Sequence, residues 1–281
     1  MTTRWWLAIA TLLIAGRVIC GGDEPTRLRV VTFNIEDFPK HQRQIEGAFA
    51  ELAALKPDVV ALQELVDPAL FEREARARLG SDWGFVSAST EPLGAIGHPV
   101  HHLGLLYDRR TLKLVSVRLR DETRLEGRHK PTLQVRLELE DRIVSVFVVH
   151  LKAGGDMAAI RARQIAALAS VVQGSLHDGD SVVLLGDFNA TSDADRDEIA
   201  ALAAATGLRW TTRDLACSAF WNRDDGCPRS RLDHVLSRQE ADRVDAAGAC
   251  ATEGCDRQDR CPIYRDEVSD HCPVFADFTY R

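Results

Sequence analysis

The stretch Val182-Val183-Leu184-Leu185-Gly186-Asp187-Phe188-Asn189 decides how this chain is read. Four consecutive branched apolar residues closed by a glycine make a short buried strand. Buried strands do not ordinarily run into a carboxylate and an amide. Asp187 and Asn189 alternate, so on extended backbone their side chains point one way while Phe188 points the other way, into a core. A carboxylate and an amide therefore stand side by side where the strand ends.

The same ending recurs along the sequence. Val30-Val31-Thr32-Phe33 ends at Asn34, Val59-Val60-Ala61-Leu62-Gln63 ends at Glu64, and Val144 through Val149 ends at His150. One such ending is an ordinary capping arrangement. Four with complementary chemistry imply strand ends gathered along one sheet edge, where amides, carboxylates and a histidine converge. Glu64 and Asp270 are oxygen ligands of the kind Mg²⁺, Mn²⁺ or Ca²⁺ prefers. Asp233, in Arg231-Leu232-Asp233-His234, is a candidate to orient the imidazole of His271, as a general base requires. These residue types point to metal-assisted hydrolysis with histidine proton transfer.

Around these endings the chain mixes strands and helices. Strand-like runs cover 28–33, 58–62, 103–107, 112–117, 132–139, 143–149, 181–185, 232–236 and 274–278; helix-like runs cover 41–55, 68–79, 157–176 and 194–206. Several strands follow one another from Leu103 to Val149 without a helix, which excludes an all-parallel doubly wound sheet. The pattern predicts two packed mixed sheets with helices outside. No repeat or low-complexity linker divides residues 23–281, so one domain is expected, with a polar, cysteine-rich loop at about 239–268.

The 281 residues are 45% hydrophobic and 27% charged, an ordinary globular composition, with a formal charge of −7. That charge excludes nucleic-acid binding by a global excess of positive charge, though not brief contact at one site. Residues 1–22 carry one early cation, Arg4, then an apolar run from Trp5 to Ala15 and small residues. This is the layout of a secretory signal peptide, and the run is too short for a membrane span. A secreted or periplasmic protein is expected, without stable membrane insertion. Arg17, Val18 and Ile19 argue against lipid attachment at Cys20. Loss of the leader takes Arg4 and Arg17, making the charge −9, and leaves six of the seven cysteines. In an exported chain an even set reads as disulfides, with local pairs such as Cys217 with Cys227 the cheapest choice. The absence of any Cys-x-x-Cys pair argues against a structural zinc.

Thr32-Phe33-Asn34-Ile35-Glu36, Leu62-Gln63-Glu64, Val149-His150-Leu151, Gly186-Asp187-Phe188-Asn189, Arg231-Leu232-Asp233-His234 and Ser269-Asp270-His271 together resemble the ordered motifs of the endonuclease/exonuclease/phosphatase superfamily. The resemblance spans nearly all of the chain after residue 23. It implies an α/β, deoxyribonuclease-I-like, four-layer sandwich: two packed mixed β-sheets flanked by helices. It also implies roles. Glu64 and Asp270 would bind a divalent metal, Mg²⁺ first with Mn²⁺ or Ca²⁺ as alternatives. Asn34 would lie beside it, and Glu36 stands where some relatives carry a second acidic ligand. Asp187 and Asn189 would position nucleophile and phosphate, His150 would bind the phosphate and protonate the leaving oxygen, and Asp233 with His271 would activate water.

Departures from the motif pattern matter for substrate. Thr90-Glu91-Pro92-Leu93-Gly94 resembles a stretch of secreted deoxyribonucleases that precedes a substrate-side tyrosine and an acid supporting the first catalytic histidine. Here His98 and Val100 occupy those positions, so His150 loses its expected carboxylate partner. His98, His101 and His102 are candidate phosphate donors, as are Lys152 and Arg128 or Lys130. The expected function is a secreted, monomeric, metal-dependent phosphodiesterase acting on nucleic acid. The alternatives are a phosphatase or phospholipase acting on inositol phosphates or sphingomyelin, and a catalytically silent binding protein. Low aromatic content, with Phe220-Trp221 the one adjacent pair in the second half, gives little support to a lipid surface.

Overall fold

The computed structural model describes residues 25–88, 100–221, 226–256 and 261–280. The expected leader at 1–22 with Cys20, the Thr90–Gly94 stretch and His98 lie outside the described residues. In chain order the elements are β1 (Thr26–Phe38), α1 (Gln42–Leu55), β2 (Val59–Leu65), α2 (Pro68–Arg78), β3 (Trp83–Ala88), β4 (His102–Asp108), β5 (Leu112–Arg120), β6 (Thr132–Leu139), β7 (Arg142–His150), α3 (Ala158–His177), β8 (Ser181–Asp187), α4 (Asp193–Thr206), β9 (Arg209–Trp210), β10 (Asp233–Ser237), β11 (Ala241–Ala246), α5 (Gly248–Thr252), α6 (Ile263–Glu267) and β12 (Val274–Tyr280).

The strands form two six-stranded sheets, ordered β11-β12-β1-β2-β4-β3 and β5-β6-β7-β8-β10-β9. Each has one parallel pair at its centre, β1 with β2 and β7 with β8, and antiparallel neighbours outside it. Strand alternation sorts the side chains into layers. Val30, Val59, Val146, Val183 and Val235 meet between the sheets in one core. Val31, Phe33 and Leu62 pack outward with Phe49 and Leu52 of α1 and Phe71 of α2. Phe147, Val149 and Leu184 pack outward with Leu168 and Val172 of α3 and Ile199 of α4. Helix, sheet, sheet and helix make the four layers expected from the sequence.

The 239–268 segment is more ordered than the loop expected there, since it contains β11, α5 and α6. The cysteine pairing also differs from the local one. Cys217 joins Cys255, Cys227 joins Cys261 and Cys250 joins Cys272, with Cα separations of 5.7, 5.1 and 6.1 Å. Ala219 pairs by backbone with both Ser230 and His271. The second bridge sets Ala219 beside His271, which brings the stretch that carries Cys217 against the one that carries Cys272. Among the described residues, no helix is long and apolar enough to cross a membrane. Phe220 is buried in the inter-sheet core and only Trp221 of that pair is exposed.

Candidate active site

In the second sheet, register alone assembles half of the site. His150 pairs with Asp187 across the parallel β7–β8 ladder, and Asp187 pairs with Asp233 across the antiparallel β8–β10 ladder. All three share the parity of Val146, Val183 and Val235, which face the first sheet, so their side chains enter the gap between the sheets. Gly186 makes the close approach possible. Its φ is +147° and a Cβ there would run into the carbonyl oxygen of Val149. Asn189, at φ +50°, folds the chain back so that its N–H donates to Asp187 Oδ1 at 2.8 Å. Its side-chain amide donates to the Leu151 carbonyl at 3.1 Å and to Asp187 Oδ2 at 3.2 Å.

The first sheet contributes through two adjacent bulges. Pairing of β1 with β2 shifts between Asn34 and Phe38, and pairing of β2 with β4 shifts between Leu62 and Leu65. Glu36, Asp37 and Glu64 take positive φ of 43°, 52° and 60°, a conformation non-glycine residues adopt at a cost of about 1–3 kcal/mol each. By strict alternation Glu64 would point with Leu62 toward the helices. The bulge turns it toward the other sheet instead, where its Oε1 lies 3.2 Å from Asn34 Nδ2 and 3.6 Å from His150 Nε2. Asn34 Nδ2 also donates to Asp187 Oδ2 at 3.0 Å, so one amide clamps a carboxylate from each sheet.

His271 arrives just before β12. Its Nδ1 lies 2.7 Å from Asp233 Oδ2, and its Nε2 lies 3.8 Å from Asp187 Oδ2. Two serines fix this pair. Ser218 Oγ donates to Asp233 Oδ2 at 2.7 Å; Ser269 Oγ donates to the Asn34 carbonyl at 2.7 Å and accepts the His271 N–H at 3.0 Å. Burial by itself would lower the His271 imidazole, but the charges of Asp233 and Asp187 and the Asp233 hydrogen bond hold it well above its ordinary value of 6.5. Burial pushes up the carboxyls of Asp187 and Asp270, against the pull of His271, with further carboxylates adding to the rise.

Such crowding of buried carboxylates is what a divalent cation would relieve, and the donor set fits one. Two expected ligands also have partners within the protein. Asn34 Oδ1 accepts the Glu36 N–H at 3.1 Å, and the Glu36 carboxylate accepts from Lys40 Nζ at 2.7 Å and from the Asp270 N–H at 2.8 Å. These contacts brace the site and leave lone pairs on Asn34 Oδ1 and on the Glu36 carboxylate for a metal. Glu64 and Asp270 would hold such an ion, with Asp187 facing them. Asp37, Glu64 and His101 form an adjoining cluster whose donor atoms lie within 4.8 Å of one another.

A family model described as the endonuclease/exonuclease/phosphatase family matches residues 31–271. The chain belongs to this family. Family members of known structure superimpose along nearly its whole length. A crystal structure of D. rerio TDP2 complexed with single strand DNA product aligns at TM-score 0.68 and 17% identity, over 90% of this chain and 99% of that one. The human Nocturnin catalytic domain with bound sulfate anion aligns at TM-score 0.66 and 17% identity, over 91% and 95%. An endonuclease/exonuclease/phosphatase family protein from Bacteroides thetaiotaomicron aligns at 0.64 and 14%, over 92% and 99%. No curated protein sequence matches the chain. Family membership places the chain among endonucleases, exonucleases and phosphatases, that is, among hydrolases of phosphoric esters.

Against that family frame, the structure gathers His150, Asp187, Asn189, Asp233, His271, Asn34, Glu36, Glu64 and Asp270 at one edge. Lys152 lies near enough for its charge to lower His150, whereas Arg128 is exposed on the 121–130 segment. The histidine group divides: His101 turns to Asp37, and His102 Nδ1 lies 3.3 Å from the Ala88 carbonyl. Residues that the strand-end pattern did not single out are Ser218, Ser269 and Asp37. Each lies next to a motif residue in sequence or space, but in a turn or bulge that period-2 reading does not resolve. Lys130, weighed beside Arg128 as a surface grip, instead reaches inward to His150, its Nζ 2.8 Å from Nδ1.

Proposed function

We propose that this chain is an exported, divalent-metal-dependent phosphodiesterase that hydrolyses nucleic-acid backbones. The observation that carries the reading is the Asp233–His271 pair, hydrogen-bonded at 2.7 Å and facing Asp187 across 3.8 Å. A water set beside this pair, off the line that joins the two atoms, would hydrogen-bond to both imidazole and carboxylate, which is the geometry of a water-activating base. Asp233 fixes the His271 tautomer and stabilises the imidazolium formed when the water gives up its proton. Asn34 and Asn189 hold Asp187 in place beforehand, so little reorganisation accompanies attack. His150 stands on the opposite side of Asp187 with Nε2 at 3.6 Å, where it donates to a phosphoryl oxygen. Glu64 and Asp270 would hold the divalent cation, which would supply Lewis-acid neutralisation of the charge developing on the phosphoryl group.

A nucleic-acid substrate is favoured by the fold-level likeness to TDP2 holding single strand DNA product and by the cations Lys130 and Lys152 beside His150. The negative net charge makes contact local and salt-sensitive. The test is purified protein with Mg²⁺, Mn²⁺ or Ca²⁺, with and without chelator, on plasmid DNA, single-stranded DNA, RNA, sphingomyelin and inositol phosphates. Chelator-sensitive cleavage of a nucleic acid is expected. A folded sample that cleaves only the lipid or inositol substrates would replace the substrate assignment, and one that cleaves nothing would sink the enzyme reading.

A further inference from the structure

Lys130 is joined to two imidazoles. Its Nζ lies 2.8 Å from His150 Nδ1 and 3.4 Å from His101 Nδ1. The rings of His101 and His150 are near-parallel, 14° apart with centroids separated by 6.4 Å. Local sequence explains the placement. Pro131 restricts Lys130 to extended backbone, and the β6–β7 pairing that sets Leu133 against Val148 carries the residues just before β6 alongside the end of β7. An ammonium group has three N–H donors and no acceptor, so a ring nitrogen facing it must present a lone pair. On both histidines the far nitrogen then carries the hydrogen. His150 Nε2 points at Glu64 and Asp187, each 3.6 Å away, and His101 Nε2 at Asp37.

We propose that Lys130 is a positioning residue that locks His150 as the neutral Nε2–H tautomer, so that His150 serves the reaction as a hydrogen-bond donor to phosphate and not as an imidazolium acid. The inference rests on the phosphodiesterase reading above. It assigns to a lysine the place at Nδ1 that the sequence motif reserves for a carboxylate, and it reverses the consequence. A carboxylate accepts from Nδ1–H and stabilises the charged ring; an ammonium donates to bare Nδ1 and opposes it. Burial brings Lys130 itself down only to about 8, leaving it protonated at neutral pH. In the reaction, water oxygen bonds to phosphorus, its proton passes to His271, the ester P–O bond breaks, and the departing oxygen takes its proton from solvent. The His150 proton stays on Nε2 throughout.

The decisive measurement is the nitrogen-15 NMR of the imidazole rings in the purified protein without substrate or metal. His150 is expected to show a bare Nδ1 and a protonated Nε2, and in Lys130→Met this pattern is expected to change toward mixed tautomers. Turnover of Lys130→Met on the substrate found above should fall about 10- to 100-fold, the range for a group that orients a functional histidine, and Lys130→Gln, which keeps an N–H donor, should recover part of it. If Lys130→Met does not fold, as judged by circular dichroism, Lys130→Gln carries the comparison. A protonated Nδ1 in the wild type, or Lys130 variants with unchanged ring spectra and unchanged turnover, would overturn the proposal. A wild type that shows the expected tautomer yet cleaves no phosphodiester would instead refute the proposed function and leave the tautomer lock standing.

Discussion

His271 is a buried imidazole whose affinity for a proton is raised by its neighbouring carboxylates, and this sets its response to substitution and to pH. Removing the Asp233 carboxylate takes away the largest force that raises it. Asp233→Asn, His271→Ala and Asp187→Ala should each lower turnover by at least about a hundredfold, the low end for a general acid or base; initial rates on samples of matched circular dichroism check this. A histidine whose folded value lies above 6.5 stabilises the fold below that value and loses the contribution as pH rises through the folded one. The stability advantage of wild type over His271→Gln, measured by urea unfolding, should therefore shrink as the solution is made alkaline. The gathering of these side chains was largely legible beforehand, because Asn34, Glu64, His150 and Asp187 terminate apolar runs and so advertise themselves. Ser218 and Asp37 did not, and Lys130 was legible only as a grip on phosphate, since their places depend on a turn, a bulge and a proline whose partners lie far away in sequence.

At the scale of elements, the loops after β7 and β8 are tied by one buried guanidinium. Arg161 of α3, fully buried, donates to both oxygens of Asp195 at 2.7 and 2.8 Å, to the carbonyls of Lys152 and Gly154 at 2.9 and 2.7 Å, and to Thr191 Oγ1 at 3.3 Å. Arg161→Met should cost about 3–5 kcal/mol, because it leaves the Asp195 carboxylate buried without its partner; urea melts at neutral pH would show it. Asp195 is lowered from its ordinary value, with Arg161 and Ser192 overcoming the effect of burial. The pair's contribution is therefore present above the ordinary carboxylate range and should disappear as pH falls through the depressed one. Gly186→Ala should destabilise by at least about 1–3 kcal/mol, since its backbone angle resists a side chain. The elements most visible in the sequence were the buried central strands. β3, β9 and β11, all edge strands, escaped notice although the edge strand β5 did not: β9 is only two residues long, and the exposed charges of Asp242, Arg243 and Asp245 on β11 dilute the alternation while discouraging edge pairing with another chain.

For the molecule as a whole, three disulfides fasten the 217–272 region to itself, and two of their cysteines sit beside site residues: Cys217 precedes Ser218, and Cys272 follows His271. The double variant Cys250→Ser, Cys272→Ser should lose about 2–5 kcal/mol and show reduced turnover at temperatures where it remains folded. Mass spectrometry without reductant should find none of the six cysteines from Cys217 onward alkylatable. Such bridges suit the export that the first 22 residues lead one to expect.

The two sheets supply different halves of the chemistry. Asn34, Glu64 and His271 stand on one; His150, Asp187 and Asp233 stand on the other, and the links between them are hydrogen bonds of 2.7–3.0 Å. The valine core beneath acts as the spacer of a calliper whose jaws are these side chains. A slip of about half an ångström between the layers would barely register in a melting curve, yet it would stretch the 2.7 Å Asp233–His271 bond to the long end of the hydrogen-bond range. Catalytic rate is thus the finest ruler this protein carries for its own packing, and conservative changes at Val30 or Val146, deep below the jaws, are where that ruler can be read.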